Sequence, residues 1–312
     1  MRRRARTAAR RRTSTPRRER RLSTTGQATG WLFSLPALTL LLLMIVVPFA
    51  LAVILSFTDA RLVSRHSNEF VGWTNYVALF TDGEFLHAVI NNFWFAVIVV
   101  PAQTMLAVWL AMIVNRPYPG RNLFRTLYFL PVVAVPVVAA TIWRLIFADF
   151  GLLNQLINQV AGDGVAPHWL QDSTWALPAI MLTFLWRNVG FQMVIVLAGL
   201  QAIPRELNEA AAVDGSSRWQ LFRYVTLPQL RNTIVFVVTI TIIFAFRLYD
   251  EVSVMTGGGP RDSTNTMMLQ LVQVGFREQK IGRASAIAVF FFLLVLGVTL
   301  LQRLLVKEEE AA

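Results

Sequence analysis

A handful of polar and charged side chains stand inside long apolar stretches, and their types suit recognition of a hydroxylated solute. Asn188 and Gln192 are four residues apart, so a helix places both on one face. Further along, Arg247 and Glu251 stand at i and i+4, and Arg247 and Asp250 at i and i+3, the spacings at which helical side chains meet. Tyr249, beside them, adds a ring and a hydroxyl. Charged groups are costly in a lipid-spanning segment, and they usually face a bundle interior or an aqueous cavity. Two readings compete. Asn188, Gln192, Arg247, Tyr249, Asp250 and Glu251 line a path for the solute, or Arg247 neutralises the two acids and ties helices together. Arg187 is adjacent to Asn188, and Arg144, next to Trp143 near a span end, reads as a snorkelling side chain.

Covalent chemistry is absent from the pattern. There is no cysteine, and the three histidines (His66, His87, His168) are scattered, which removes thiolate catalysis and a His-rich metal centre. The two lysines, Lys280 after Gln279 and Lys307 after Val306, do not follow a glycine-rich loop, so neither belongs to a Walker-type ATP site. No Ser/His/Asp set or catalytic carboxylate pair is evident. The sequence therefore predicts a non-enzyme that binds no cofactor or metal of its own, with any energy for work supplied by another polypeptide or an ion gradient.

The elements that must position these groups are membrane spans. The 312 residues are 55% hydrophobic and 15% charged, with a mean hydropathy of +0.53. A soluble domain of average composition is about a quarter charged, so an aqueous monomer is excluded. Six apolar segments reach the roughly 20 residues that a helix needs to cross a bilayer: about 31–57, 88–114, 124–147, 175–201, 233–256 and 284–306. Pro101 interrupts the second, and Pro131 and Pro136 the third. The formal charge of +11 is concentrated at the front, where residues 1–21 carry eleven arginines and one acid. That arm is too long, and the run from Trp31 too apolar, for a cleavable signal. Residues 1–30 read as a disordered Arg-rich tail that sets topology and touches anionic headgroups rather than nucleic acid. Residues 31–306 read as the six-span domain, and 307–312 as a C-terminal tail. Twenty Lys and Arg fall on the side of the termini and six on the other, which puts both termini in the cytoplasm.

On the same cytoplasmic side, the loop between the fourth and fifth spans reads as two short helices joined by a turn. Pro204 suits a first helical position, with Glu206 and Glu209 near that positive end. Gly215 suits a left-handed residue that ends the helix, Ser216 or Ser217 can cap the next one, and Pro228 closes it. The result is a compact elbow, either inserted into a soluble partner or an ordinary hairpin between spans.

Glu209-Ala210-Ala211, Asp214-Gly215 and Leu227-Pro228 resemble, at the right spacing, the EAA motif of the permeases of ATP-binding-cassette importers. Further segments narrow the resemblance to permeases of the carbohydrate type, the maltose and glycerol-phosphate uptake group. They are Leu35-Pro36-Ala37-Leu38, Leu55-Ser56-Phe57-Thr58-Asp59, Phe70-Val71-Gly72 through Asn75-Tyr76, and Phe124 through Pro131. Gly151-Leu152-Leu153-Asn154, Leu197 through Gln201 and Thr256 through Pro260 match likewise. The Arg tail has no counterpart in the pattern, and Tyr249 stands where the family more often has Phe.

The resemblance implies an all-α membrane protein, a six-helix bundle of the type I importer permease fold with a cytoplasmic coupling helix. It implies a second six-span permease, two ATPase subunits that carry ATP and Mg, and an external solute-binding protein, in a bacterial or archaeal cytoplasmic membrane. The implied coupling residues are Glu209, Ala210, Ala211, Asp214, Gly215, Leu227 and Pro228. The competing functions are an ion-coupled transporter using Asp250 or Glu251 as its ion or proton site, a channel with Gly257–Gly259 as a filter, and a membrane enzyme. Sugars, sugar alcohols and phosphate esters all fall within the family.

Overall fold

The computed structural model describes residues 24–63, 69–117, 119–162 and 164–311. The arginines of the N-terminal arm, together with Arg65 and His66, lie outside the described residues, as does the side chain of Lys307. The chain divides into two compact units, Met1–Leu51 and Ala52–Ala312. Among the described residues no β-strand forms; a single bridge pairs Thr58 with Phe70.

The N-terminal helix α1 (Thr24–Leu41) begins inside the segment read as tail, passes through a π-helical turn at Leu42–Val46 and continues as α2 (Val47–Leu55). Its Trp31–Leu55 portion is long and apolar enough to cross a membrane. After the bridge come the short α3 (Thr74–Thr81) and the long α4 (Gly83–Asn115), which Asp82 caps by accepting from the Glu84 amide at 3.0 Å. Then follow α5 (Arg121–Val133), α6 (Pro136–Ile146) and α7 (Leu152–Ala161), the long α8 (Ala176–Ala202), and α9 (Arg205–Val213). The elbow continues through α10 (Arg218–Leu221), a π-helical segment Phe222–Thr226 and α11 (Leu227–Gln229). The chain ends with α12 (Arg231–Phe246), α13 (Asp250–Met255), α14 (Met267–Val272) and α15 (Ile281–Ala311).

Of three prolines in these spans, only one stands at a break. Pro101 was expected to interrupt the second span, yet α4 runs through it as one helix; a bundle can satisfy the carbonyl that proline frees. Pro131 also lies inside a helix, α5. Pro136 does break the third span. Residues before proline are pushed out of the helical region, and Ala134 and Val135 are both extended, at ψ 134° and 131°. The two halves, α5 and α6, therefore meet at 100°. Counting this bent pair as one span, the described residues hold six membrane-length segments.

Within Ala52–Ala312, α4, α8 and α12 form the framework. Lipid is as apolar as leucine, so helices associate in it through close packing and hydrogen bonds rather than through the hydrophobic effect. One buried cluster joins Phe95 and Val99 of α4 to Ile180 and Phe184 of α8 and to Ile242 and Phe246 of α12, with Phe95 and Phe184 edge to face at 5.2 Å. A second cluster continues along the same helices through Ala107 and Ala111, Met193 and Val196, and Val237. Alpha-5 lies against α8 at Gly190, where a Cβ would collide with the Tyr128 carbonyl.

Candidate functional site

The fifth span breaks at the position where its charges sit. Alpha-12 ends at Phe246 and α13 starts at Asp250, with Tyr249 at φ −136°, ψ −55°. A break inside lipid is tolerable only when neighbours satisfy the freed backbone groups. Two side chains do this. Asn92 of α4 reaches the Ala245 and Phe246 carbonyls at 3.4 and 3.5 Å while accepting from the Met267 amide at 2.9 Å. Thr266 donates to the Leu248 carbonyl at 2.9 Å. Because of the break, the helical spacing expected of Arg247 with Asp250 and Glu251 does not apply.

Beside the break lies a cavity of about 250 Å³. Arg187 and Asn188 of α8 line it together with Arg247, Asp250 and Glu251, and Phe184, Phe244 and Leu248 supply its apolar walls. Glu251 is buried, and its partner is Arg187, whose Nε donates to Oε1 at 3.0 Å. The expected neutralisation by Arg247 is thus corrected. Arg247 opens to the surface and, among the described residues, forms no ion pair. Nor does Arg144 simply snorkel: it donates to the Val254 carbonyl at 3.3 Å, so two arginines from α6 and α8 hold α13.

Asn188 is buried and donates to the Phe184 carbonyl at 2.9 Å, a bond within its own helix. Gln192 does not line the cavity. It is fully buried and donates to Thr241 Oγ1 at 2.5 Å, tying α8 to α12, with its Oε1 unpartnered. Tyr249 is likewise outside the lining and packs, half-buried, on the apolar core. The cavity thus gathers Asn188, Arg247, Asp250 and Glu251, adds Arg187, and leaves Gln192 and Tyr249 in supporting positions. Sequence reasoning noticed Arg187 without giving it a partner, and missed Asn92 altogether. An arginine in a span is a signal for a buried acid; a single asparagine near a span end is no signal at all.

At the far end of α8 the elbow is exposed. Pro204 is the residue before the first turn of α9 rather than its first helical residue. Gly215 adopts φ +72°, and the Ser216 amide closes the helix on the Ala211 carbonyl at 3.0 Å. Ser217 then caps α10 in a reciprocal box with Gln220. Glu209, Ala210, Asp214, Gly215 and Pro228 are exposed, Ala211 is buried and Leu227 intermediate. Leu227 borders a larger groove of about 610 Å³, lined by Met105, Trp109, Met112, Trp219 and Phe222. Its walls are too apolar for a hydroxylated solute.

Residues 86–309 match the family model of the binding-protein-dependent transport system inner membrane component. The chain belongs to this family. It is a multi-pass membrane protein, the permease subunit of an ATP-binding-cassette importer. It is 36% identical over 269 residues to the sulfoquinovosyl glycerol transport system permease protein of Agrobacterium fabrum, with 85% of each chain covered. It is 31% identical over 274 residues to the trehalose/maltose transport system permease protein of Thermococcus litoralis, covering 87% of this chain and 91% of that one. Its fold is that of a permease in the crystal structure of a bacterial importer of the acidic polysaccharide alginate. That likeness has a TM-score of 0.79 at 19% identity and covers 91% of this chain and 96% of the other. In this permease Gly257–Gly259 forms a turn that Thr264 closes by donating to the Gly259 carbonyl at 2.7 Å.

Proposed function

We propose that this permease carries a sugar or sugar-like solute through the cavity beside α13, driven by separate ATPase subunits that act on the 204–228 elbow. The observation that carries the reading is the shared framework of the two sites. Asn188 stands fourteen residues before the end of α8, about 21 Å along it at 1.5 Å per residue. Alpha-12 starts just beyond the elbow, and its other end carries Arg247. Two stiff helices thus join the exposed elbow to the two sides of the cavity. Relatives named for sulfoquinovosyl glycerol and for trehalose and maltose support the solute class, as do the amide, carboxylate and guanidinium groups of the lining.

In this account a second permease completes the pathway and a binding protein delivers the solute to the outer face. Two ATPase subunits, holding ATP and Mg, receive the elbow around Glu209 and Gly215, and both termini are cytoplasmic. Closure of the ATPase pair displaces the elbow, and α8 and α12 pass the movement to the Arg187–Glu251 bridge. The ion-coupled alternative, with Asp250 or Glu251 as its ion or proton site, is disfavoured at Glu251, which already has a cation, Arg187, beside it.

The reading is tested with Asn188→Ala, measuring uptake of the solute that the cognate binding protein holds, at equal membrane level. We expect at least a tenfold loss of uptake, equal to about 1.4 kcal/mol. Unchanged affinity and rate would remove Asn188 from the pathway.

A further inference from the structure

The connection between α6 and α8 contains a helix that exposes a row of apolar side chains. Along α7, Leu152, Leu156 and Val160 recur every four residues and are exposed, Val160 at 91%. Phe150, just before the helix, is 92% exposed. Of its polar side chains Gln155 and Gln159 are exposed as well, whereas Asn154 and Asn158 turn inward. Asn154 is buried, accepts from Trp169 Nε1 at 2.7 Å and donates to the Asp149 and Pro167 carbonyls. Asn158 accepts from the Ala166 amide at 3.2 Å, and Gln155 donates to the Phe150 carbonyl at 3.0 Å. No residue of α7 is charged. A surface helix in water keeps its apolar stripe against the core, so the exposed row of Leu152, Leu156 and Val160 is placed to meet something other than water.

The position of α7 says what that is. Alpha-6 is the second half of a membrane span and ends at Ile146; α7 starts at Leu152. The five intervening residues reach at most about 17 Å when extended, and here they are shortened by a turn in which the Gly151 amide donates to the Ala148 carbonyl at 2.7 Å. Alpha-7 therefore starts close to the end of that span. Trp169, the half-buried partner of Asn154, belongs to a chain of rings through Phe147, Trp143 and Trp175, at 5.2–5.6 Å spacings. Tryptophan concentrates at the headgroup level of a bilayer.

We propose that α7 is an interfacial helix, with Phe150, Leu152, Leu156 and Val160 seated among the headgroups and upper acyl chains of the leaflet opposite the coupling elbow. An uncharged helix binds there through apolar area rather than through lipid charge. By lying flat it anchors the end of α6, whose Arg144 holds the Val254 carbonyl of α13.

The chain has no cysteine, which makes the test direct. Single nitroxide labels are placed at Leu156→Cys, Val160→Cys and, as an aqueous reference, Asp172→Cys, in the assembled transporter in phospholipid nanodiscs. Collision with oxygen is then compared with collision with a water-soluble nickel chelate. We expect the oxygen-to-nickel ratio at 156 and 160 to exceed that at 172 several-fold. Nickel access at 156 and 160 equal to that at 172 overturns the proposal, and so do labels shielded from both reagents, since these indicate a protein partner. Val160 is almost fully exposed, so its substitution leaves the fold intact even if position 156 is sensitive.

Discussion

Glu251 and Arg187 illustrate how much a single pairing decides. A carboxylate that is 3% exposed faces a guanidinium that is 17% exposed, so removing either leaves the other without its counter-charge. Removing one partner of such a bridge costs about 3–5 kcal/mol, whereas replacing both by apolar groups is often neutral. Arg187→Met is therefore expected to lower the folded yield and the thermal midpoint in detergent, and Arg187→Met with Glu251→Leu to restore both without restoring uptake. Recovery of uptake in the double variant would limit the pair to a structural role. A second residue-scale expectation concerns the loop after α6. Exposed His168 meets Asp149 at 2.7 Å, and the hydrogen bond and the negative charge of Asp149, aided by Asp172, raise its pKa above the ordinary 6.5. The contact is thus fully present at pH values below about 6.5 and is lost as pH rises through the raised value. NMR titration of His168 should show the raised pKa, and Asp149→Asn should return it toward the ordinary one.

At the scale of elements, what was legible from sequence and what was not divide along physical lines. Span positions follow from apolar length, and the elbow follows from Pro204, Gly215 and Ser217, whose backbone preferences are local. The outcome at each proline is not local. Pro101 and Pro136 carry the same sequence signal, but the span breaks only at Pro136; whether a bundle satisfies the carbonyl that a proline frees is not written beside that proline. The cavity was legible in its residue types and not in its pairing: the interruption at 247–249 turned Glu251 toward α8, and the interruption is held by Asn92 and Thr266 from distant parts of the chain. Close approach of α5 and α8 at Gly190 gives the test at this scale. Gly190→Ala places a methyl group on the Tyr128 carbonyl, whereas at Gly297 a Cβ meets nothing within 4 Å. Overpacking of this kind costs about 1–3 kcal/mol, so thermal stability should fall in Gly190→Ala and hold in Gly297→Ala.

For the whole molecule, the account joins two ends of one framework. An exposed elbow with the spacing of the permease motif lies beyond one end of α8 and α12, and a polar cavity next to a broken span lies toward the other. Membership of the binding-protein-dependent family supplies the class of machine; the proposed route runs from elbow to cavity. The most direct test reconstitutes the permease with its ATPase and binding protein in liposomes and measures ATP-dependent uptake in wild type, Glu209→Lys and Gly215→Pro, with and without an uncoupler. Proline cannot adopt the φ of +72° held by Gly215, so both variants disturb the elbow alone. The account predicts uptake that needs ATP, ignores the uncoupler and is abolished in both variants at unchanged membrane level. Uptake that persists in the variants, or that collapses with the uncoupler while ATP is present, would contradict it.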